Sequence, residues 1–108
     1  MITIDDFFKV EIKVGLVKEV EDVVESNKLL RLRVDVGEEE LRTIFTAVKT
    51  DGFTPEDFKG KKFLFVTNLE SKKMMGEESQ GMILAVEEEG SKPVFIEVPE
   101  LPAGSRLV

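Results

Sequence analysis

The sequence predicts an all-β protein: a five-stranded barrel with one short helix between the third and fourth strands, an N-terminal helical turn and an extra C-terminal strand. Two early segments alternate apolar and polar residues at period two, which is typical of half-buried strands. A later run, Phe63-Leu64-Phe65-Val66, is apolar on both faces and therefore indicates a strand covered on both sides. Between them lies a helix start led by proline, and Gly60 ends that helix about one turn later.

The first half of the chain contains a helical turn and three strands. Thr3 followed by Asp6 is typical of a helix N-cap. Residues 10–16 alternate between apolar and polar side chains and predict the first strand, and residues 30–36 predict the second in the same way. A glycine and three glutamates then form a turn into the third strand at 41–48. The second and third strands are therefore expected to form a hairpin.

The second half supplies the helix and the remaining strands. Thr54-Pro55-Glu56-Asp57 combines an N-cap residue, a proline at the first helical position and two acids in the first turn. Residues 62–68 predict an interior strand, residues 81–87 a further one and residues 93–98 the last. Five strands with one helix after the third are the plan of an OB-fold barrel. No repeat or linker interrupts the chain, so residues 1–108 are expected to form a single domain.

Composition excludes several classes of function. The chain has no cysteine and no histidine, which removes disulfides, thiolate metal sites, cysteine nucleophiles and the usual proton shuttle. Acid pairs such as Asp5-Asp6 and Glu77-Glu78 are expected to be solvated, so we predict no enzyme activity, no cofactor and no metal. The acidic N-terminus is unlike a secretion signal, and no apolar run approaches the ~20 residues that span a bilayer. A cytoplasmic protein without a membrane partner is expected.

The net charge of -7 is unevenly distributed. Residues 1–41 carry 6 basic and 11 acidic side chains, residues 42–85 carry 7 and 6, and residues 86–108 carry 2 and 5. Charge alone favours solvated surface groups, but a basic face that binds phosphates stays open because the acidic excess lies at the two ends.

One connecting segment, residues 68–85, differs from an ordinary loop. It contains two lysines, two methionines, a glycine and then Ser-Gln-Gly-Met. Composition alone favours a solvated loop whose methionines pack back on the barrel. The same residue types also suit unpaired RNA, which needs cations for phosphates, polar groups for base edges and apolar platforms for bases.

The segment resembles the signature of the tRNA-binding domain family, in which a strand ending in Asn-Leu leads through a lysine-bearing loop to Met-Gly, Glu-Ser-Gln-Gly-Met and an aliphatic strand. Further agreement lies in Ile4 to Val10, Lys28 to Gly37, Thr54 to Lys62, and Pro102 to Ser105. The resemblance implies an OB-fold module that binds the outside corner of tRNA by shape with little sequence preference. Such modules occur as free-standing homodimers, as C-terminal domains or separate beta subunits of methionyl-tRNA synthetases, and in a secretion chaperone.

Carried over position by position, the resemblance implies a set of RNA-contacting residues. The cations expected to contact phosphates are Lys28, Arg42, Lys72 and Lys73. Ser79 and Gln80 are expected to bond to ribose or base edges, and Met82 to pack against a base. Glu25, Glu70 and Ala47 depart from the family's usual residues and are expected to weaken or reshape that contact.

Two functions follow as alternatives. The first is a homodimer that docks on folded tRNA and raises its local concentration for a partner, methionyl-tRNA synthetase being the candidate. The second is a protein-interaction module, either chaperone-like or a synthetase subunit whose RNA contact has decayed. The resemblance favours a dimer seam in which Phe7 and Phe8 pack with the C-terminal strand and tail. Phe45 is expected in the core, and Phe53 is left open between the core and the surface.

Overall fold

The computed structural model describes residues 1–108 and confirms an all-β barrel. A helical turn, α1 (Ile4–Phe7), precedes nine strands: β1 (Ile12–Asp22), β2 (Leu29–Asp35), β3 (Arg42–Ala47), β4 (Lys62–Val66), β5 (Lys72–Met74), β6 (Glu77–Ser79), β7 (Met82–Ile83), β8 (Ala85–Val86) and β9 (Val94–Phe95). The main sheet is antiparallel, with the strand order β3-β2-β1-β4-β7, and two small hairpins, β5–β6 and β8–β9, flank it. No helix has both the length and the apolar character needed to cross a membrane.

The central strand β1 pairs with two neighbours, β4 and β2. Its first part, Ile12 to Leu16, pairs with β4, and its later part pairs with β2 as far as Asp22. A bulge between Val17 and Glu19 interrupts the ladder with β2, and such bulges bend a strand. Gly15 lies at the crossing because an added Cβ would stand 2.5 Å from a ring carbon of Phe65.

The alternating residues of β1 to β4 supply the core. Leu30, Leu32 and Ile44 are fully buried there with Phe58 and Phe65. The same alternation leaves the polar residues of β2 on the outer face of the barrel.

The two phenylalanines considered from the sequence have different environments. Phe45 is 7% exposed, as expected. Phe53 is half-buried and packs its ring against those of Phe58 and Phe95, with centroids 5.8 and 5.2 Å away.

Several elements differ from the sequence predictions in detail. The helical turn at Thr3 and Asp6 is confirmed, with a full capping box. The expected helix after Thr54 is a single 3₁₀ turn, Pro55–Asp57, and a second 3₁₀ turn spans Lys49–Asp51. The strand predicted at 81–87 is divided into β7 and β8, and the one predicted at 93–98 has a ladder only at β9. Within 68–85, which was expected to be a connecting loop, the chain forms the hairpin β5–β6.

Candidate nucleic-acid interface

The signature hairpin β5–β6 turns through Met75 and Gly76, whose φ angles are 52° and 80°. Positive φ at both central residues is the geometry of a type I′ turn, which matches the twist of the flanking strands. Lys72 lies opposite Ser79 and Lys73 lies opposite Glu78. Because successive side chains point to opposite faces of a strand, Lys72 and Ser79 face the barrel while Lys73 and Glu78 face away from it.

An ion pair holds this hairpin on the outer face of β2. The Arg31 guanidinium donates to both carboxylate oxygens of Glu77 at 2.8 Å, and to Glu21 at 3.0 Å. The bidentate geometry gives both direction and strength to the contact. It lowers the pKa of the Glu77 carboxyl and raises the pKa of Arg31, with the hydrogen bond between them as the main cause of each shift.

The residues after β6 close the barrel against β3. No backbone ladder joins β3 to β7, which are the two ends of the main sheet. Instead, the Phe45 N–H donates to Ser79 Oγ at 3.1 Å, and the Thr43 N–H donates to Gln80 Oε1 at 3.0 Å. The Gln80 N–H returns a bond to the Thr43 carbonyl at 2.8 Å. Side chains of the signature therefore form the seam of the barrel, and the Ser79 hydroxyl proton stays available to donate.

Arg42 links the start of β3 to the residues that follow β4 and β6. Its Nε and Nη2 donate to the two carboxylate oxygens of Glu38 at 2.9 and 2.8 Å, and its Nη1 donates to the carbonyls of Gln80 and Thr67. The hydrogen bond with Glu38 raises the pKa of Arg42 and lowers the pKa of Glu38. These four bonds use four of the five N–H donors of the guanidinium, so a phosphate at Arg42 would find a single free donor unless it displaced Glu38.

A groove of about 680 Å³ lies between the hairpin and the strands β3 and β7. Its lining is mainly apolar and combines Phe45, Thr46 and Ala47 with Leu69, Met74, Gly81, Met82 and Ile83. Three of the predicted RNA-contacting residues meet in it: Lys72, the buried Ser79, and Met82, which is 47% exposed. Two of the departures from the family pattern, Ala47 and Glu70, line the same groove.

The other predicted residues lie around the groove rather than in it. Lys28 is exposed and precedes Leu29, whose partner across the ladder is Ala47, so it lies at the groove end of the β2–β3 hairpin. Arg42 lies opposite Val34 at the other end of that ladder. Six strand residues separate the two cations, a distance of roughly 20 Å along the sheet. RNA contact by the seven residues stays a prediction.

Sequence reasoning missed two cations on the outer face of β2. Arg31 anchors the hairpin, and Arg33 donates to Thr43 Oγ at 2.7 Å without forming an ion pair. Their alternation with buried leucines places both on the outer face of strand two, and the faces of strands two and three carry the ligand in OB-folds. That alternation was the available signal.

Comparison with known proteins identifies the family. Residues 12–106 match the family described as "Putative tRNA binding domain". The chain belongs to this tRNA-binding domain family. A methionine–tRNA ligase of Helicobacter pylori (strain J99) is 48% identical over 106 residues, which are 98% of this chain and 16% of that protein. The tRNA-binding domain therefore spans about one-sixth of the length of the ligases that it matches.

Solved structures agree along the whole domain. A MetRS-related protein from Pyrococcus horikoshii superposes with a TM-score of 0.92 at 46% identity, covering 100% of this chain and 98% of that one. The chaperone CsaA from Bacillus anthracis superposes with a TM-score of 0.85 at 26% identity, covering 100% and 99%. The resemblance drawn from the sequence, to synthetase-linked and chaperone members of the tRNA-binding domain family, is confirmed.

Proposed function

We propose that this protein binds tRNA as a non-catalytic module through the groove beside the signature hairpin. The observation that carries the proposal is the meeting of Lys72, Ser79 and Met82 in one mainly apolar groove. An unpaired base would pack against Met82 and Met74, because methionine adapts its shape to flat apolar partners. Lys72 at the rim would meet the adjoining phosphate, and the Ser79 hydroxyl would donate to a ribose or base oxygen.

Recognition by shape follows from the kind of groups that surround the groove. Lys28, Lys72 and Lys73 carry no ion pair, so each can contact a phosphate. Few polar side chains are free to read base edges, since the oxygens of Ser79 and Gln80 already accept bonds from β3. Phosphate contacts position a nucleic acid but carry no sequence information. Binding is therefore expected to depend little on which tRNA is offered.

The protein acts as a homodimer in this proposal. The helical turn α1 has no buried residue, and Phe7 and Phe8 are 37% and 44% exposed. The tail lies beside the start of β1, where the Leu107 N–H donates to the Ile12 carbonyl at 2.8 Å, and Leu101 is 48% exposed. Soluble monomers rarely leave apolar groups contiguous over a wide area. A second copy seated there would duplicate the RNA surface and raise the overall affinity by linkage.

The partner that fits the relatives is methionyl-tRNA synthetase, and the compartment is the cytoplasm, where tRNA is charged. In this role the domain would hold tRNA near a synthetase while performing no chemistry. The likeness to the CsaA chaperone supports a second candidate, in which the same groove accepts an apolar side chain of an extended polypeptide.

Binding of unfractionated tRNA, measured by filter retention against salt concentration, tests the proposal. The matched pair is Lys72→Ala and Lys73→Ala, because these lysines are neighbours on β5 but point to opposite faces. Each lost phosphate contact should reduce the slope of log affinity against log salt by about 0.7 to 0.9. Lys72→Ala is expected to lower affinity more than Lys73→Ala. A wild-type protein that binds no tRNA at low salt would refute the function. A larger loss of affinity in Lys73→Ala than in Lys72→Ala would show that the groove is not the binding site.

The dimer and the chaperone candidate need separate measurements. Phe8→Glu should convert a dimer to a monomer in sedimentation velocity, and a wild-type protein that sediments as a monomer contradicts the proposed assembly. Binding of an unfolded polypeptide that survives Lys72→Ala, together with absent tRNA binding, would favour the chaperone alternative.

A further inference from the structure

Cations without an ion pair gather around the start of β4 and the bulge of β1. Of the 15 lysines and arginines, five form ion pairs and ten do not. Half of those ten belong to what we call the lysine cluster, which consists of Lys18, Lys59, Lys61, Lys62 and Lys92. None of the five lies within ion-pair distance of a carboxylate.

Backbone contacts hold the cluster together. The Val17 N–H donates to the Lys61 carbonyl at 2.9 Å, and the Gly60 N–H donates to the Val17 carbonyl at 2.8 Å. Lys62 pairs with Leu16, and Lys18 occupies the bulge of β1, where it is exposed. These bonds involve backbone atoms only, and the side chains of Lys18, Lys59, Lys61 and Lys62 form neither a hydrogen bond nor an ion pair.

Two lysines of the cluster, Lys61 and Lys92, line an aromatic cavity of about 380 Å³. Phe53 and Phe95 line it, and Lys92 Nζ lies 4.5 Å from the centroid of the Phe53 ring. Two carboxylates also line the cavity, those of Asp57 and Glu97. Asp57 accepts from the Thr54 N–H at 2.7 Å, which leaves its charge in place, so the cavity lining carries two lysines and two carboxylates.

The chemistry of this end suits a phosphodiester chain. Unpaired lysines supply the charge, and the half-buried Phe53, held by neighbouring rings, supplies an apolar face for a sugar or base once Lys92 moves from that ring to a phosphate. Lys62 begins β4 whereas Val66, four residues on, pairs with the groove residue Met82. The two sites are thus roughly 13 Å apart along the strand, a distance that a few nucleotides of an RNA backbone can span.

We propose that the lysine cluster is a second phosphate-contact surface, which binds the backbone of the same RNA that occupies the groove. The inference rests on the proposed function, and it adds a site beyond the signature residues. An acidic surface of a protein partner is the competing occupant, and the experiment separates the two.

The test compares two double variants of equal charge change. Lys59→Gln with Lys61→Gln removes two free cations of the cluster, whereas Lys9→Gln with Lys13→Gln removes two lysines that already pair with Asp6 and Glu11. Filter binding of unfractionated tRNA is measured against salt for both. The cluster variant should lower the salt slope by about 1.4 to 1.8 and weaken low-salt binding several-fold, and the control should keep the wild-type slope.

The outcomes distinguish this inference from the proposed function. If the wild-type protein binds tRNA and the cluster variant keeps the full salt slope, the lysine-cluster inference is refuted and the proposed tRNA-binding function stands. If the cluster variant loses affinity for purified methionyl-tRNA synthetase but not for tRNA, the surface belongs to a protein partner and the inference is overturned. If the wild-type protein binds no tRNA, both fail. Thermal melts by circular dichroism, expected to be unchanged for the cluster variant because Lys59 and Lys61 are exposed, exclude misfolding as the cause.

Discussion

Replacing Ser79 with alanine should open the seam of the barrel as well as the groove. The Ser79 hydroxyl oxygen accepts the Phe45 N–H at 3.1 Å, and both residues are buried, at 6% and 7% exposure. Without that oxygen the amide has neither a protein partner nor ready access to water. A buried donor left without an acceptor costs roughly 1–3 kcal/mol, so the free energy of unfolding should fall by about that amount.

The measurement is urea denaturation followed by circular dichroism, with thermal melts as a second readout. Each kcal/mol corresponds to a fall in Tm of roughly 4 °C or more for a domain of this size. Ser71→Ala is the matched control, because Ser71 is exposed and bonds only to the exposed Glu78, and its effect should stay within about 0.5 kcal/mol. Equal unfolding free energies for Ser79→Ala and the wild type would refute the idea that this hydrogen bond closes the barrel. The tRNA assay is then run at a temperature where both variants are folded, which separates binding from stability.

Three further changes probe other parts of the fold. Gly15→Ala should lower the free energy of unfolding by roughly 1–3 kcal/mol, since its Cβ would press on the Phe65 ring; an unchanged urea midpoint would contradict this. Met75→Asn should raise stability by about 0.5 to 1 kcal/mol in the same assay, because asparagine adopts positive φ more readily than methionine; a lower Tm would count against the turn assignment. Acid should loosen the signature hairpin, because Arg31 lowers the pKa of Glu77. The stabilisation by the Arg31–Glu77 ion pair is complete above the ordinary glutamate pKa of about 4.3, and it is lost as the pH falls through the lowered pKa. Arg31→Gln should abolish that part of the acid titration of stability, and an unaltered profile would speak against it.

Much of the barrel was predictable because its strands follow a simple periodicity. Residues 10–16 and 30–36 alternate so regularly that the start of β1 and both ends of β2 could be located within two residues, whereas β1 continues to Asp22, six residues beyond the predicted strand. The apolar run at 63–66 correctly indicated an interior strand, since β4 lies between β1 and β7. Capping residues likewise located two of the three short helical turns, although nothing in the local sequence distinguishes a 3₁₀ turn from an α-helical one at that length. The third turn, Lys49–Asp51, has no side-chain cap.

The signature hairpin was missed for a physical reason. Its strands are three residues long and mostly charged, and its turn has Met75 where a type I′ turn usually has asparagine. Those strands are stabilised by distant partners, namely Arg31 on β2 and the free edge of β3. Such partners are invisible to a local pattern. The structural duty of Arg42 was missed likewise, because its contacts to Gln80 and Thr67 span 38 and 25 residues of sequence.

The side-chain seam between β3 and the signature also bears on how such sequences evolve. Selection for a folded barrel alone is enough to retain Ser79 and Gln80, since their oxygens satisfy backbone amides that nothing else reaches. A lineage that abandoned nucleic acid for another client would therefore keep the motif and change the free lysines around it. Divergence of function among relatives should accordingly be sought in those cations, whereas the motif itself records ancestry of the fold.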